Sequence, residues 1–220
     1  MRLTQLFLVV GLGLTMLLLA SCDLGEQPDP CQTDTALFQD DFENENECGW
    51  VLFDNSGLAA EILDGAMLIT TSQAGKITWS NAERDYTNVI INVTARQITG
   101  PNNNAYGVIC RYRDEQNFYL FLVSGDGYYT IGKYEASSPQ IQYLTPNEEF
   151  GYSDVINQGV ATNEIRAACV GNELSLAVNG IPVFATTDGT HTRGDIGVGA
   201  STLEPGTAQI RFDDFSVLEP

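Results

Sequence analysis

Two acidic echoes bracket the chain: Phe38-Gln39-Asp40-Asp41-Phe42 near its start and Phe212-Asp213-Asp214-Phe215 near its end. Pairing of terminal strands would bring these carboxylates together, and a hard cation with oxygen ligands is the chemistry that would reward the meeting. Asp40, Asp41, Glu43, Asp213 and Asp214 are therefore candidate ligands of a structural calcium ion. The alternative is that they are solvent-facing charges that keep edge strands from aggregating. Zinc is not expected, because His191 is the only histidine and no Cys-x-x-Cys occurs.

A second set of residues suits sugar recognition. Segments 105–113, 117–123 and 128–135 are apolar or aromatic on both alternations, so one face must pack a core while the other is free to line a groove. Sugar rings stack on tyrosine and tryptophan faces, while Arg, Asn and Asp hold the hydroxyls. Arg111, Tyr119 and Lys133 form the leading candidate glycan-binding groove, and Trp79, between the polar Thr78 and Ser80, is the other candidate platform. Sliding the turn at 124–127 by one residue would exchange the two faces, so the outward tyrosines stay open. No Gly-x-Ser-x-Gly, phosphate-binding loop or EF-hand loop occurs. His191, in Asp188-Gly189-Thr190-His191-Thr192, is expected to be a solvent-exposed turn residue rather than a base.

The elements that must position these residues are short and β-rich. Strands are expected at 36–42, 50–54, 59–63, 66–71, 75–80, 87–99, 105–113, 117–123, 128–135, 140–144, 163–170, 173–179, 181–187, 195–201 and 208–218. Asp64-Gly65, Gly125-Asp126 and Asn179-Gly180 sit between apolar runs, where residues tolerant of positive φ close hairpins. So many short strands in one domain predict two stacked antiparallel sheets. The run 145–162 lacks alternation and is long for a loop, a length often associated with function or mobility.

The net charge of −19 repels nucleic acid and anionic lipid heads, and it favours cations, neutral glycans or basic partners. The alternative is that the charge merely keeps an exported protein soluble. Arg2 followed by an apolar run ending in Leu19-Ala20-Ser21-Cys22 reads as a bacterial lipoprotein cleavage box. Residues 1–21 are then a signal peptide, Cys22 the lipidated first residue, 22–35 a tether with two prolines, and 36–220 the domain. Several acyl chains would hold the chain to the membrane of the cell envelope, outside the cytoplasm. The four other cysteines allow three disulfide pairings. Cys31–Cys48 with Cys110–Cys169 is preferred, because Cys110 and Cys169 fall mid-strand in segments able to be neighbours.

The succession Asp64-Gly65-Ala66-Met67-Leu68-Ile69, Tyr106-Gly107-Val108-Ile109-Cys110-Arg111-Tyr112, Asn117-Phe118-Tyr119-Leu120-Phe121, Asn163-Glu164-Ile165-Arg166 and Leu174-Ser175-Leu176-Ala177-Val178-Asn179-Gly180, followed by Gly194-Asp195-Ile196-Gly197-Val198 and Phe212-Asp213-Asp214-Phe215, carries a resemblance. Over about residues 36–218 it resembles the concanavalin A-like jelly roll of laminin G-like modules and the 3-keto-disaccharide hydrolase family. That resemblance implies an all-β, two-sheet antiparallel jelly-roll sandwich. It also implies relatives among glycan binders, calcium-dependent adhesion modules and glycoside-cleaving enzymes. Retaining glucanases of this fold carry Glu-x-Asp-x-x-Glu, which sets two carboxyl groups about 5 Å apart. Here Glu83-Arg84-Asp85 is followed by Asn88 where the third carboxylate belongs, and Glu43-Asn44-Glu45-Asn46-Glu47 lies beside Cys48 in an expected loop. The expected function is non-catalytic binding of a glycan or envelope component. The alternatives are a glycoside or 3-keto-disaccharide hydrolase and an adhesion module that binds protein.

Overall fold

The structure, a computed structural model, describes residues 29–220. The expected signal segment, Cys22 and the first part of the tether lie outside the described residues.

Sixteen strands follow one another: β1 (Phe38–Asp40), β2 (Phe53–Asn55), β3 (Leu58–Ile62), β4 (Met67–Thr71), β5 (Thr78–Asn81), β6 (Val89–Thr99), β7 (Asn104–Asp114), β8 (Asn117–Val123), β9 (Tyr128–Glu135), β10 (Ser138–Tyr143), β11 (Gly151–Tyr152), β12 (Thr162–Val170), β13 (Glu173–Val178), β14 (Ile181–Thr187), β15 (Asp195–Thr202) and β16 (Ala208–Leu218). Nine strands make the larger sheet, in the order β14-β13-β12-β6-β16-β4-β3-β2 with β1 also on β16. Seven make the smaller, in the order β10-β9-β8-β7-β15-β5 with β11 on β9. All the strand pairings are antiparallel, and the two sheets stack as a jelly-roll sandwich.

Periodicity explains which faces meet. Strand β12 buries Asn163, Ile165, Ala167 and Cys169 and turns the residues between them outward, the period-two pattern of a sheet with one core face. Strand β8 is buried at every position from Phe118 to Val123, because the smaller sheet is covered on both sides. Its inner face, with Tyr106, Tyr119 and Phe121, packs against Ile165, Phe212 and Phe215 of the larger sheet. Its outer face carries a second cluster of Ala105, Ile109, Phe118, Leu120 and Leu122, roofed by Trp79, Tyr112, Tyr134, Ile141 and Phe150.

The terminal strands do pair, but the register sets Asp40 opposite Phe215, not opposite Asp213 or Asp214. Asp40 instead accepts the Phe42 N–H at 2.7 Å and the Trp50 indole N–H at 2.8 Å. Trp50, just outside β2, packs edge-on against Phe38 and Phe215 with centroids 5.8 and 5.0 Å away. The expected strand 50–54 therefore begins three residues late: Asn46 holds both the N–H and the C=O of Trp50 and turns the chain inward there.

Residues 29–35, assigned to the tether from sequence, are folded onto the domain. Cys31 is buried and bonded to Cys48, and Asp29 pairs with Arg84 at 3.2 Å. Cys110 is bonded to Cys169 with Cα atoms 6.9 Å apart, and this bridge joins β7 of one sheet to β12 of the other. The two strands face each other across the core rather than lying side by side. The run 145–162 is also pinned: Ile156 is buried, Gly159 donates to the Gly125 carbonyl at 2.7 Å, and the Asn157 N–H donates to the Asn163 side chain at 2.8 Å.

The chain-entropy model ranks the two bridges. The 59-residue separation of Cys110–Cys169 should contribute about 4 kcal/mol and the 17-residue separation of Cys31–Cys48 about 3 kcal/mol. Thermal unfolding of C110A/C169A and C31A/C48A should therefore show the larger loss for the first pair; an equal or reversed order would contradict this assignment of the inter-sheet tie.

Candidate functional site

Strict alternation along β7 would send Arg111 to the outer face and Tyr112 to the core. Instead the strand bulges: its register against both β15 and β8 shifts around these residues, and Arg111 has φ 54°. The bulge turns Arg111 inward and Tyr112 outward. Gly194, passing the bulge, approaches so closely that a Cβ there would collide with the Tyr112 carbonyl. Arg111 is 1% exposed and donates to the carbonyls of His191 at 2.8 Å, Gly171 at 2.9 Å and Thr87 at 2.9 and 3.1 Å. Among the described residues no carboxylate pairs with it, and burial lowers its pKa.

Tyr119 and Lys133, cross-strand partners in register, also face inward. Lys133 reaches Asp188 at 2.9 Å and Glu135 at 3.5 Å and donates to the Thr190 hydroxyl at 2.8 Å. Tyr119 donates to Asp188 at 2.5 Å and accepts the His191 N–H at 3.0 Å; burial, reinforced by Asp188, pushes its pKa up to about 12. Burial alone would raise Asp188, but the hydrogen bonds from Tyr119, Lys133 and Thr190 outweigh it and hold the carboxyl well below the usual range. His191 is buried, against the expectation from sequence: its Nε2 lies 2.7 Å from the Tyr134 carbonyl, and burial lowers its pKa. Arg111, Tyr119 and Lys133 thus gather around the 188–191 turn, where each is buried and hydrogen-bonded within the protein.

Trp79 has the opposite fate. It lies on the outer face of β5, the edge strand of the smaller sheet, opposite Gly199 of β15, and Asn81 lies opposite Gly197. Tyr112 lies opposite Asp195 on the same face. The Trp79 ring packs 6.1 Å from Tyr112 and 5.7 Å from Phe118, centroid to centroid. Gly197 and Gly199 keep the floor low, since a Cβ at Gly199 would press within 3.2 Å of the Trp79 Cβ. A cleft of about 430 Å³ opens here, lined by Trp79, Tyr112, Asn81, Glu83, Glu115 and Asp195, with Phe53, Leu58 and Ile77 as its apolar wall. Its size and mixture of rings with a few polar groups match a small-molecule site. A groove of about 530 Å³ on the larger sheet has a single charged lining residue, Arg166, which already donates to Asn92.

Asp195 fixes the rim of the cleft. One oxygen accepts the N–H groups of Arg84 and Ile196, both at 2.7 Å, and the other accepts that of Glu83 at 3.0 Å. These bonds hold the 83–84 corner, where Glu83 takes φ 56°, onto the start of β15. Burial nonetheless dominates and pushes the Asp195 carboxyl up to about 6.

Of the candidate calcium ligands, Asp40 is engaged as described above. Asp213 pairs with Arg211 at 3.0 Å and accepts the Asp214 N–H, while Asp41, Glu43 and Asp214 are exposed. Among the described residues no three His, Cys, Asp or Glu side chains are placed to share a metal ion. Of the residues lining this cleft, sequence reasoning did not single out Asn81, Glu115 or Asp195. Asp195 carried one usable signal, an acid at the start of a glycine-alternating strand, Asp195-Ile196-Gly197-Val198-Gly199.

No protein-family model matches the chain, and no curated protein matches it in sequence. Solved structures do share its fold. The carbohydrate-binding module CBM66 from Bacillus subtilis is similar at a TM-score of 0.61 with 13% identity, covering 78% of this chain and 96% of that one. A B. subtilis protein with a galectin-like fold aligns at 0.62 with 10% identity, covering 86% and 97%. A structure described with endo-acting O-glycanases of the human gut microbiota that initiate mucin breakdown aligns at 0.56 with 12% identity, covering 84% and 99%. At such identities the likeness establishes the galectin-like jelly-roll fold and nothing finer.

The raised Asp195 pKa has a definite sign in stability. Between about pH 4 and 6 the folded domain keeps a proton on Asp195 that the unfolded chain has released, so this contribution is full below pH 4 and lost as pH rises through 6. The loss is on the order of 3 kcal/mol at most. The stability of the wild type relative to Asp195→Asn should therefore fall from pH 4 to pH 7 in denaturant titrations; a pH-independent difference would contradict the burial assigned to this carboxyl.

Proposed function

We propose that this chain is a glycan-binding module whose site is the Trp79–Tyr112 cleft. One observation carries the reading: two partly exposed rings meet hydrogen-bonding side chains, Asn81, Glu83 and Glu115, in a single cleft of about 430 Å³. A pyranose has the matching duality, an apolar C–H face that stacks on a ring and an equatorial rim of hydroxyls that carboxylates and amides accept or donate to. The likeness to a carbohydrate-binding module and to a mucin-active glycanase supports the reading at the level of fold.

A hydrolytic reading is favoured by one specific observation, the convergence of Glu83, Glu115 and Asp195 on this cleft with Asp195 titrating near 6. A general acid must present its proton to the leaving oxygen, whereas both Asp195 oxygens are already committed to backbone N–H groups. We therefore place binding first and turnover second. Lipid attachment at Cys22 and residence on the outside of a bacterial membrane complete the proposal and rest on the Leu19-Ala20-Ser21-Cys22 box.

Trp79→Ala and Tyr112→Ala should each weaken binding to hits on a glycan array by about two- to tenfold, since a stacked ring contributes about 0.5–1.5 kcal/mol, and Tyr119→Ala should lower the melting temperature. Retained binding in both cleft variants would move the site elsewhere, and release of reducing sugar that Asp195→Asn abolishes would promote the hydrolytic reading. For the anchor, metabolic labelling with a radioactive fatty acid should mark the wild type and not Cys22→Ser; equal labelling of both would refute lipidation there.

A further inference from the structure

The charged residues that line the cleft are all of one sign. Glu83, Glu115 and Asp195 line it, and among the described residues no lysine, arginine or histidine does. Four basic residues adjoin lining residues in sequence, Lys76, Arg84, Arg111 and Arg113, and none of them lines the cleft: Arg111 is turned into the core, and Arg84 to Asp29 and the carbonyls of Ala82 and Cys48. Burial raises the Tyr112 pKa, and the nearby charges of Glu115, Asp114 and Asp195 push it in the same direction.

A second observation is geometric: the rings of Trp79 and Tyr112, 6.1 Å apart and both partly exposed, line the same cleft as these acids. A carboxylate-lined cleft also discriminates between ligands. Uronic, sulfated or sialylated sugars meet like charge there, and a neutral sugar must satisfy acceptors with hydroxyl donors alone. An ammonium group offers three donors and a positive charge to the carboxylates, and its cation is attracted to the faces of Trp79 and Tyr112. Rings and acids together form a cation-accepting box, and the overall charge of −19 draws cations toward the domain.

We propose that the cleft selects glycans bearing a free amino group, a de-N-acetylated amino sugar whose ammonium sits against the Trp79 and Tyr112 rings between Glu83 and Glu115. This rests on the glycan-binding reading of the same cleft and narrows it to a substrate class.

Calorimetry on the full chain in mild detergent at neutral pH decides it, with three tetrasaccharides as probes: β-1,4-linked glucosamine, its fully N-acetylated counterpart and a β-1,4-glucan. The glucosamine probe should bind at least about tenfold more tightly than the other two, the equivalent of about 1.4 kcal/mol. Glu83→Gln/Glu115→Gln should reduce that preference to about threefold or less while leaving the melting temperature near that of the parent, because both side chains are exposed. Equal binding of all three probes would overturn the amine preference and leave the glycan site standing. Binding of none would overturn both. Glucosamine binding that survives Trp79→Ala at full strength would also overturn the inference, since it would be attraction of a cation to the acidic surface at large.

Discussion

One buried guanidinium sets the geometry on which the rest depends. Arg111 occupies a left-handed bulge in β7 and ties the carbonyls of Thr87, Gly171 and His191 to one planar fork. A lysine has no fixed fork with which to hold three carbonyls in these directions, and a hydrophobic residue would leave them unmatched. The same bulge reverses the alternation of the strand. Tyr112 therefore emerges beside Trp79 instead of entering the core, and the cleft owes one of its rings to a residue that does not line it.

Around that bulge the fold divides its polar chemistry into two places. Inside, Lys133, Asp188, Tyr119 and His191 close a network in which every charge has a partner, which is the condition for burying charge at tolerable cost. Outside, at the β5 edge, the acids are only partly matched and face solvent beside aromatic rings. Polar groups that satisfy one another hold a structure together, and polar groups left with spare capacity are available to a ligand. By this distinction Trp79 belongs to the candidate site and Tyr119 to the scaffold, although both read as aromatic residues in β-rich segments.

Much of the fold was legible because one-face burial writes itself as alternation. The strand expected at 163–170 differs from β12 by one residue, and Asn179-Gly180 closes the hairpin from β13 to β14 as its turn chemistry requires. Legibility failed where a strand is covered on both faces. In Asn117-Phe118-Tyr119-Leu120-Phe121-Leu122-Val123 every position but the first is buried, so nothing in the pattern tells the inner residues from the outer ones. It failed again at Arg111, where a single bulge reverses parity without a glycine or proline to announce it. The acidic echoes misled for a related reason: they pair as strands, but register, not sequence similarity, decides which side chains meet, and Asp40 met Phe215.

The chain has only two tryptophans, Trp50 sealed in the core at 2% exposure and Trp79 in the cleft, so their indole N–H signals report separately on fold and site. The most direct test is a titration of the ¹⁵N-labelled chain with the glucosamine tetrasaccharide, followed by the two indole resonances. The account predicts a saturable shift of the Trp79 resonance with that of Trp50 unmoved. A Trp79 resonance that stays in place while the sugar binds, or that moves only together with Trp50, would contradict it.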